Sequence, residues 1–88
     1  MDSRDYTYMN VYQINNGLHV VCLPTPMYTV AQYQPMLDWC QEYFGERCHR
    51  INHVNDLCKG RWSTIWPYDE FHFRTAADLT MFVLRFAG

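Results

Sequence analysis

The 88-residue chain has little charge and no long apolar run. Charged residues make up 18% of it and the formal net charge is −2, so it lacks the basic surplus that draws a protein to nucleic acid or to an anionic membrane. No segment approaches the roughly 20 consecutive apolar residues that a membrane helix requires. The polar residues 1–5 predict that no secretory signal peptide is present, and we therefore expect a cytosolic protein.

Cysteine is scarce, with four residues at positions 22, 40, 48 and 58. In a reducing cytosol we expect free thiols rather than disulfides. The hydrophobic share of 49% excludes a disordered chain and predicts a single folded domain over residues 1–88. Aromatic residues make up 17% of the sequence, and a domain this small cannot bury all of them. We therefore expect some aromatic side chains on the surface, where such residues contact partners.

The first part of the chain predicts a β-hairpin over residues 6–23. Residues 6–14 alternate in the manner of a strand, and residues 18–23 form a short β-branched run. Between them, Asn15-Asn16-Gly17 suits a type I′ turn, which needs positive φ at its central positions. Pro24 and Pro26 end the second strand because proline cannot donate to a β-ladder.

A helix is predicted over residues 35–44, after a loop. Apolar residues recur there at helical spacing, with polar residues on the opposite face. Pro35 suits the first helical position, where the missing N–H is not needed, and Gly45 suits the position just past the end.

The last third of the sequence predicts a second hairpin and a second helix. Residues 61–66 and 70–74 are the predicted strands of this hairpin. Thr75 is the predicted N-cap of the helix, and Asp78 is the capping-box partner of Thr75. The helix, over residues 76–86, is almost entirely apolar, so it is either deeply buried or half of an interface. A terminal strand over 81–86 is the alternative. The sequence thus predicts an α+β fold of order β-β-α-β-β-α, a small antiparallel sheet of two hairpins with two helices on one face.

Two segments resemble a known group of proteins. They are residues 36–45, which contain Trp39-Cys40 and end in Phe44-Gly45, and residues 71–86, which end in Phe82-Val83-Leu84-Arg85-Phe86. Together they resemble small accessory proteins of tailed bacteriophages whose functions are not characterised. The resemblance is a pattern of core residues without a catalytic signature. It implies an origin, a small phage protein, and not an activity. For a protein of that origin our leading hypothesis is a viral protein of the host cytoplasm that binds and inhibits a host protein, in host takeover or in defence against host immunity.

Surface aromatic residues are the candidate contact residues for such a partner, because Tyr, Trp and Arg carry most of the binding energy at protein interfaces. Tyr6, Tyr8 and Tyr12 share one face of the predicted first strand, and Trp62 and Trp66 lie near the second hairpin. We predict that these five residues form an aromatic surface that blocks the partner sterically.

Two alternatives involve residues 47–61. Four of the seven Lys and Arg residues lie there, and with the neighbouring aromatic rings they would suit a nucleic-acid site: Arg47, Arg50, Lys59 and Arg61. The same segment holds possible zinc ligands at spacings that are poor for a zinc site: Cys48, His49, His53 and Cys58.

A third alternative is a virion component that assembles through the apolar final helix. No nucleophile elbow, phosphate loop or paired-carboxylate motif is present, and Cys48 and His49 would point to opposite faces of a strand. We therefore expect neither enzymatic activity nor a cofactor.

Overall fold

The structure is a computed structural model that describes residues 9–14, 17–48 and 60–87. It contains four strands and two helices in the predicted order: β1 (Asn10–Gln13), β2 (His19–Cys22), α1 (Val30–Phe44), β3 (Trp62–Thr64), β4 (Glu70–Phe73) and α2 (Ala76–Ala87). The α+β class and the order β-β-α-β-β-α are confirmed.

The four strands form one antiparallel sheet in the order β1-β2-β4-β3. The two hairpins, β1–β2 and β3–β4, are joined through β2 and β4, which places Val20 opposite His72. Gly17 in the first hairpin loop has a φ of 92°, a conformation that favours glycine. Residues 15 and 16 of the predicted type I′ turn lie outside the described residues.

Both helices cover the same face of the sheet. Val21, Phe71 and Phe73 project from this face and are buried in one apolar cluster with residues of α1 and α2. The helices supply the rest of this core: Met36, Cys40, Phe44, Leu79 and Phe82. The opposite face carries Tyr12 and His72, so the sheet has one apolar and one more polar side, as expected of an antiparallel sheet with helices on one face.

Helix α1 begins five residues before the predicted start at Pro35, so that prediction was wrong. Thr29 is the N-cap, and the Gln32 side chain accepts hydrogen bonds from the backbone N–H groups of Thr29 and Tyr28 at 3.1 and 2.9 Å. This pairing satisfies donors that a helix start leaves free. Pro35 therefore lies inside the helix, whereas Gly45 does follow its last residue, with a φ of 89°.

Helix α2 confirms the helical prediction for residues 81–86. The Thr75 hydroxyl accepts a hydrogen bond from the Asp78 backbone N–H at 3.2 Å, as an N-cap does. The Asp78 carboxylate is engaged elsewhere, accepting bonds from Arg61 Nε and Nη2 at 2.9 and 2.7 Å. This bidentate pair ties α2 to the start of β3. Neither helix is long and apolar enough to span a membrane, judged on the residues described.

Candidate protein-binding surface

An exposed aromatic surface lies where the start of α1 meets the turn between β3 and β4. Two ring pairs join these segments: Tyr28 with Trp66, at 5.4 Å between ring centroids, and Tyr33 with Tyr68, at 4.5 Å. Tyr28 and Trp66 are each 58% exposed. We call this feature the turn–helix surface and define it by six residues: Tyr28, Val30, Tyr33, Ile65, Trp66 and Tyr68.

Backbone hydrogen bonds fix the two segments of this surface. Met27 N–H donates to the Pro67 carbonyl at 2.7 Å, and Tyr68 N–H donates to the Ile65 carbonyl at 2.7 Å. Tyr68 has a φ of 61°, a left-handed conformation that is uncommon for a bulky residue and that persists only where surrounding contacts enforce it. The rings therefore sit on a fixed scaffold, although Trp66 and Tyr28 face solvent.

Trp62 was predicted as a surface anchor, and the structure contradicts this. Its position on β3 directs it to the helix-covered face, where it is 1% exposed and stacks with Phe71 at 6.2 Å. Its indole N–H donates to the Gly45 carbonyl at 2.8 Å, so its polar atom is satisfied inside the protein. Trp62 is a core residue that links the sheet to the end of α1.

Tyr12 is exposed, as predicted, but it lies apart from the turn–helix surface. It projects from β1 onto the face opposite the helices, whereas Trp66 follows β3 at the other edge of the sheet. Three strand spacings, about 14 Å in all, separate those edges. Tyr6 and Tyr8, the other two predicted anchors, lie outside the described residues.

The predicted basic site is only partly described, because Arg50 and Lys59 lie outside the described residues. Arg61 pairs with Asp78, and its guanidinium lies 5.4 Å from the centre of the Phe44 ring. The hydrogen bonds to Asp78 raise the pKa of Arg61. Arg47 is exposed after α1 and has no ion-pair partner in the part of the chain that the structure describes. Arg61 thus ties β3 to α2, and 52% of its side chain remains exposed.

Cys48 is disulfide-bonded. This contradicts two predictions, that Cys48 is a free thiol and that it is a zinc ligand. A disulfide sulfur is not the thiolate that zinc binds. Cys48 is 2% exposed, packs with Leu18, and donates its N–H to the Trp62 carbonyl at 2.9 Å. The other three proposed zinc ligands, His49, His53 and Cys58, lie outside the described residues. Cys22 and Cys40 are free thiols, as predicted.

The sheet face opposite the helices brings together one thiol, one imidazole and one carboxylate. Cys22 lies opposite Glu70, and the Glu70 carboxylate is 3.4 Å from His72 Nε2. Burial, followed by the charges of Glu70 and Asp69, raises the pKa of the Cys22 thiol. That shift is opposite to the one that activates a nucleophilic cysteine. No group of three or more metal-binding side chains occurs among the residues described.

Comparison with protein families, with curated proteins and with solved structures finds no match to this chain.

Tyr28 and Tyr33, two members of the turn–helix surface, were missing from the sequence prediction. They lie in the segment 24–34, which was read as a loop. The spacing of Thr29 and Gln32, a helix-capping pattern, was the available signal for the true start of α1. Extending the helix to this start would have placed both tyrosines beside its first turn.

Proposed function

We propose that this chain is a non-enzymatic binding protein that recognises another protein through the turn–helix surface. The observation that carries the proposal is the pairing of Tyr28 with Trp66 in solvent, on two segments held by backbone hydrogen bonds. Large aromatic side chains provide most of the binding energy at many interfaces. A fixed scaffold also limits the conformational entropy that is lost on binding.

The proposed partner is a host protein, and the proposed effect is inhibition by steric occlusion in the host cytoplasm. The resemblance of residues 36–45 and 71–86 to phage accessory proteins supports this class of partner. Ile65 directly precedes Trp66, and Val30 lies three residues before Tyr33 on α1; they are 70% and 60% exposed. An exposed apolar patch with aromatic rings is typical of a contact site for another protein.

The test compares the wild type with two variants in a tagged pull-down from nuclease-treated bacterial lysate. Trp66→Ala removes a ring from the turn–helix surface. Leu84→Ala is the control, because Leu84 is also apolar and is 71% exposed, but lies on α2. We expect one stoichiometric partner whose affinity falls about 10- to 30-fold in Trp66→Ala, the loss of a typical hot spot, and is unchanged in Leu84→Ala.

Circular dichroism would show that both variants remain folded. A partner retained equally by Trp66→Ala would contradict the proposed surface. A folded protein that captures no partner would contradict the proposed function itself.

A further inference from the structure

Strand β1 is an edge of the sheet, and backbone groups on its outer side are unpaired. The sheet order β1-β2-β4-β3 gives β1 a neighbour on one side only. Ile14 N–H donates to the Leu18 carbonyl at 3.0 Å, so these two residues continue the β1–β2 ladder as a hydrogen-bonded pair. Because such pairs alternate along a strand, the N–H and C=O groups of Val11 and Gln13 point away from β2. No backbone group among the described residues bonds to them there.

This edge lacks the charged residues and prolines by which proteins usually block a sheet edge. All four residues of β1 are exposed, and none of them is charged or is proline. The opposite edge is different, because the Trp62 carbonyl of β3 accepts the Cys48 N–H at 2.9 Å. An exposed and uncharged edge strand is a template for a further strand.

Side chains on both faces of β1 are also left uncovered. Val11 lies opposite Val21 and shares with it the sheet face that the helices cover. Val11 is nevertheless 51% exposed, whereas Val21 is fully buried. Tyr12, on the other face, is 43% exposed. A strand added beside β1 would cover both side chains, because directly opposite Cβ atoms of paired strands lie about 5 Å apart.

We infer that β1 pairs with β1 of a second copy of this chain, antiparallel about a two-fold axis at Tyr12. Val11 of each copy then forms a hydrogen-bonded pair with Gln13 of the other, which satisfies the outward N–H and C=O groups of both residues. The two Tyr12 residues form a non-hydrogen-bonded pair, in which side chains are closest, and aromatic pairs of this kind stabilise a sheet. The joined sheet carries the helices of both copies on one face.

The composition of β1 favours a second copy as the occupant. In the two-fold arrangement each residue of β1 meets a residue of the same uncharged strand, so no like charges are opposed. The net charge of −2 also gives little repulsion between whole copies. A two-fold contact uses the same surface of both copies, so one contact covers Val11 twice. The assembly stops at two copies, because it consumes both β1 edges.

The dimer makes the chain bivalent, which goes beyond the proposed function and does not depend on it. The turn–helix surface lies at the turn after β3, so the two surfaces lie at opposite ends of the joined sheet. That sheet has four strands from each copy, which places its two outer strands about 33 Å apart. Two linked sites at a fixed spacing bind a two-fold or repetitive partner more tightly than one site does.

Sedimentation velocity of the purified protein tests the dimer without any partner. We expect a reversible shift from monomer to dimer between about 1 µM and about 1 mM, because an edge-to-edge contact is small and therefore weak. Val11→Pro removes an outward N–H but no bond to β2, so it should weaken the dimer at least about tenfold while the fold is kept. A wild type that stays monomeric at about 1 mM would overturn the inference.

A charge exchange at Tyr12 tests the two-fold register. Tyr12→Lys alone and Tyr12→Glu alone each place like charges opposite one another, so each should weaken the dimer at least about tenfold. An equimolar mixture of the two variants should recover the dimer, since Lys then lies opposite Glu. If each variant dimerised as the wild type does, or if the mixture stayed monomeric, the inference would be wrong.

Leu84→Lys is the matched control, because it adds the same charge at an exposed apolar residue of α2. It should leave the dimer unchanged, and circular dichroism should show that all variants are folded. Loss of the dimer in Leu84→Lys would mean that the copies meet through α2, which contradicts the inference. Trp66→Ala should dimerise as the wild type does, so failure of the proposed function is distinguishable from failure of the dimer.

One further outcome identifies a different occupant of the edge. If the wild type is monomeric and its pull-down partner is lost in Val11→Pro, a strand of that partner pairs with β1. The pairing of two copies would then be overturned.

Discussion

At the scale of single residues, the same side chain has opposite roles at two positions only four residues apart. Trp62 lies within a strand whose alternation directs it into the core, whereas Trp66 lies in the following turn and is 58% exposed. Both were predicted as anchors because composition alone does not reveal which face of a sheet the helices cover. Burial is a property of the neighbours, and those neighbours come from distant parts of the chain.

Cys40 gives a prediction about pH at this scale. It is fully buried on α1, and burial raises the pKa of its thiol. In the unfolded chain the Cys40 thiol ionises at about pH 8.5, so above that pH the unfolded state binds fewer protons than the folded state. The contribution of Cys40 to the free energy of unfolding should therefore fall by about 1.4 kcal/mol per pH unit above this value.

Urea unfolding at about pH 7 and pH 10 would measure this loss. In Cys40→Ala the free energy of unfolding should fall less between about pH 7 and pH 10. Its value at about pH 7 should also be lower than in the wild type, because removal of the buried sulfur leaves a cavity. If the free energy of unfolding fell equally in both proteins between about pH 7 and pH 10, ionisation of the Cys40 thiol would not be the cause of the alkaline destabilisation.

At the scale of elements, helix α1 shows how two local signals can compete. Proline favours the first turn of a helix, which placed the predicted start at Pro35. The Gln32 side chain instead caps the helix at Thr29, and packing of Met36, Cys40 and Phe44 stabilises the whole element. Tertiary packing therefore holds a helix that continues through a proline.

Pro35→Ala should stabilise the protein by about 1–2 kcal/mol. Proline in a helix interior lowers stability by about 3 kcal/mol. Pro35 has no N–H to donate to the Ala31 carbonyl, four residues earlier, and its ring crowds that carbonyl. Part of this gain is offset because proline also restricts the unfolded chain. Pro35 is exposed, so no core packing is lost. A higher urea midpoint with an unchanged slope would support the prediction, and a lower midpoint would contradict it.

At the scale of the whole molecule, an aromatic network joins both helices to the sheet. Phe82 on α2 contacts Phe71 and Phe73 on β4, at 4.8 and 5.4 Å between ring centroids. It also meets Trp39 of α1 at 6.4 Å. One buried ring therefore connects all three parts of the fold, and its loss should weaken the domain as a unit.

Phe82→Ala should lower the free energy of unfolding by about 3–5 kcal/mol, the usual cost of deleting a buried ring. The matched control on the same helix is Leu84→Ala, which should change it by less than about 0.5 kcal/mol because Leu84 is 71% exposed. Urea unfolding of both variants would measure the difference. Equal effects would mean that α2 packs against the sheet through its other face.

The sequence by itself determined the element order, the Gly45 end of α1, the Thr75 cap and the helical state of residues 76–86. These features follow from local periodicity and turn chemistry, which involve neighbours in the chain. Only the tertiary structure decided that Trp62 is buried, that Arg61 is tied to Asp78, and that Tyr28 meets Trp66. Each of these depends on which distant segment packs alongside, and a one-dimensional pattern does not contain that information.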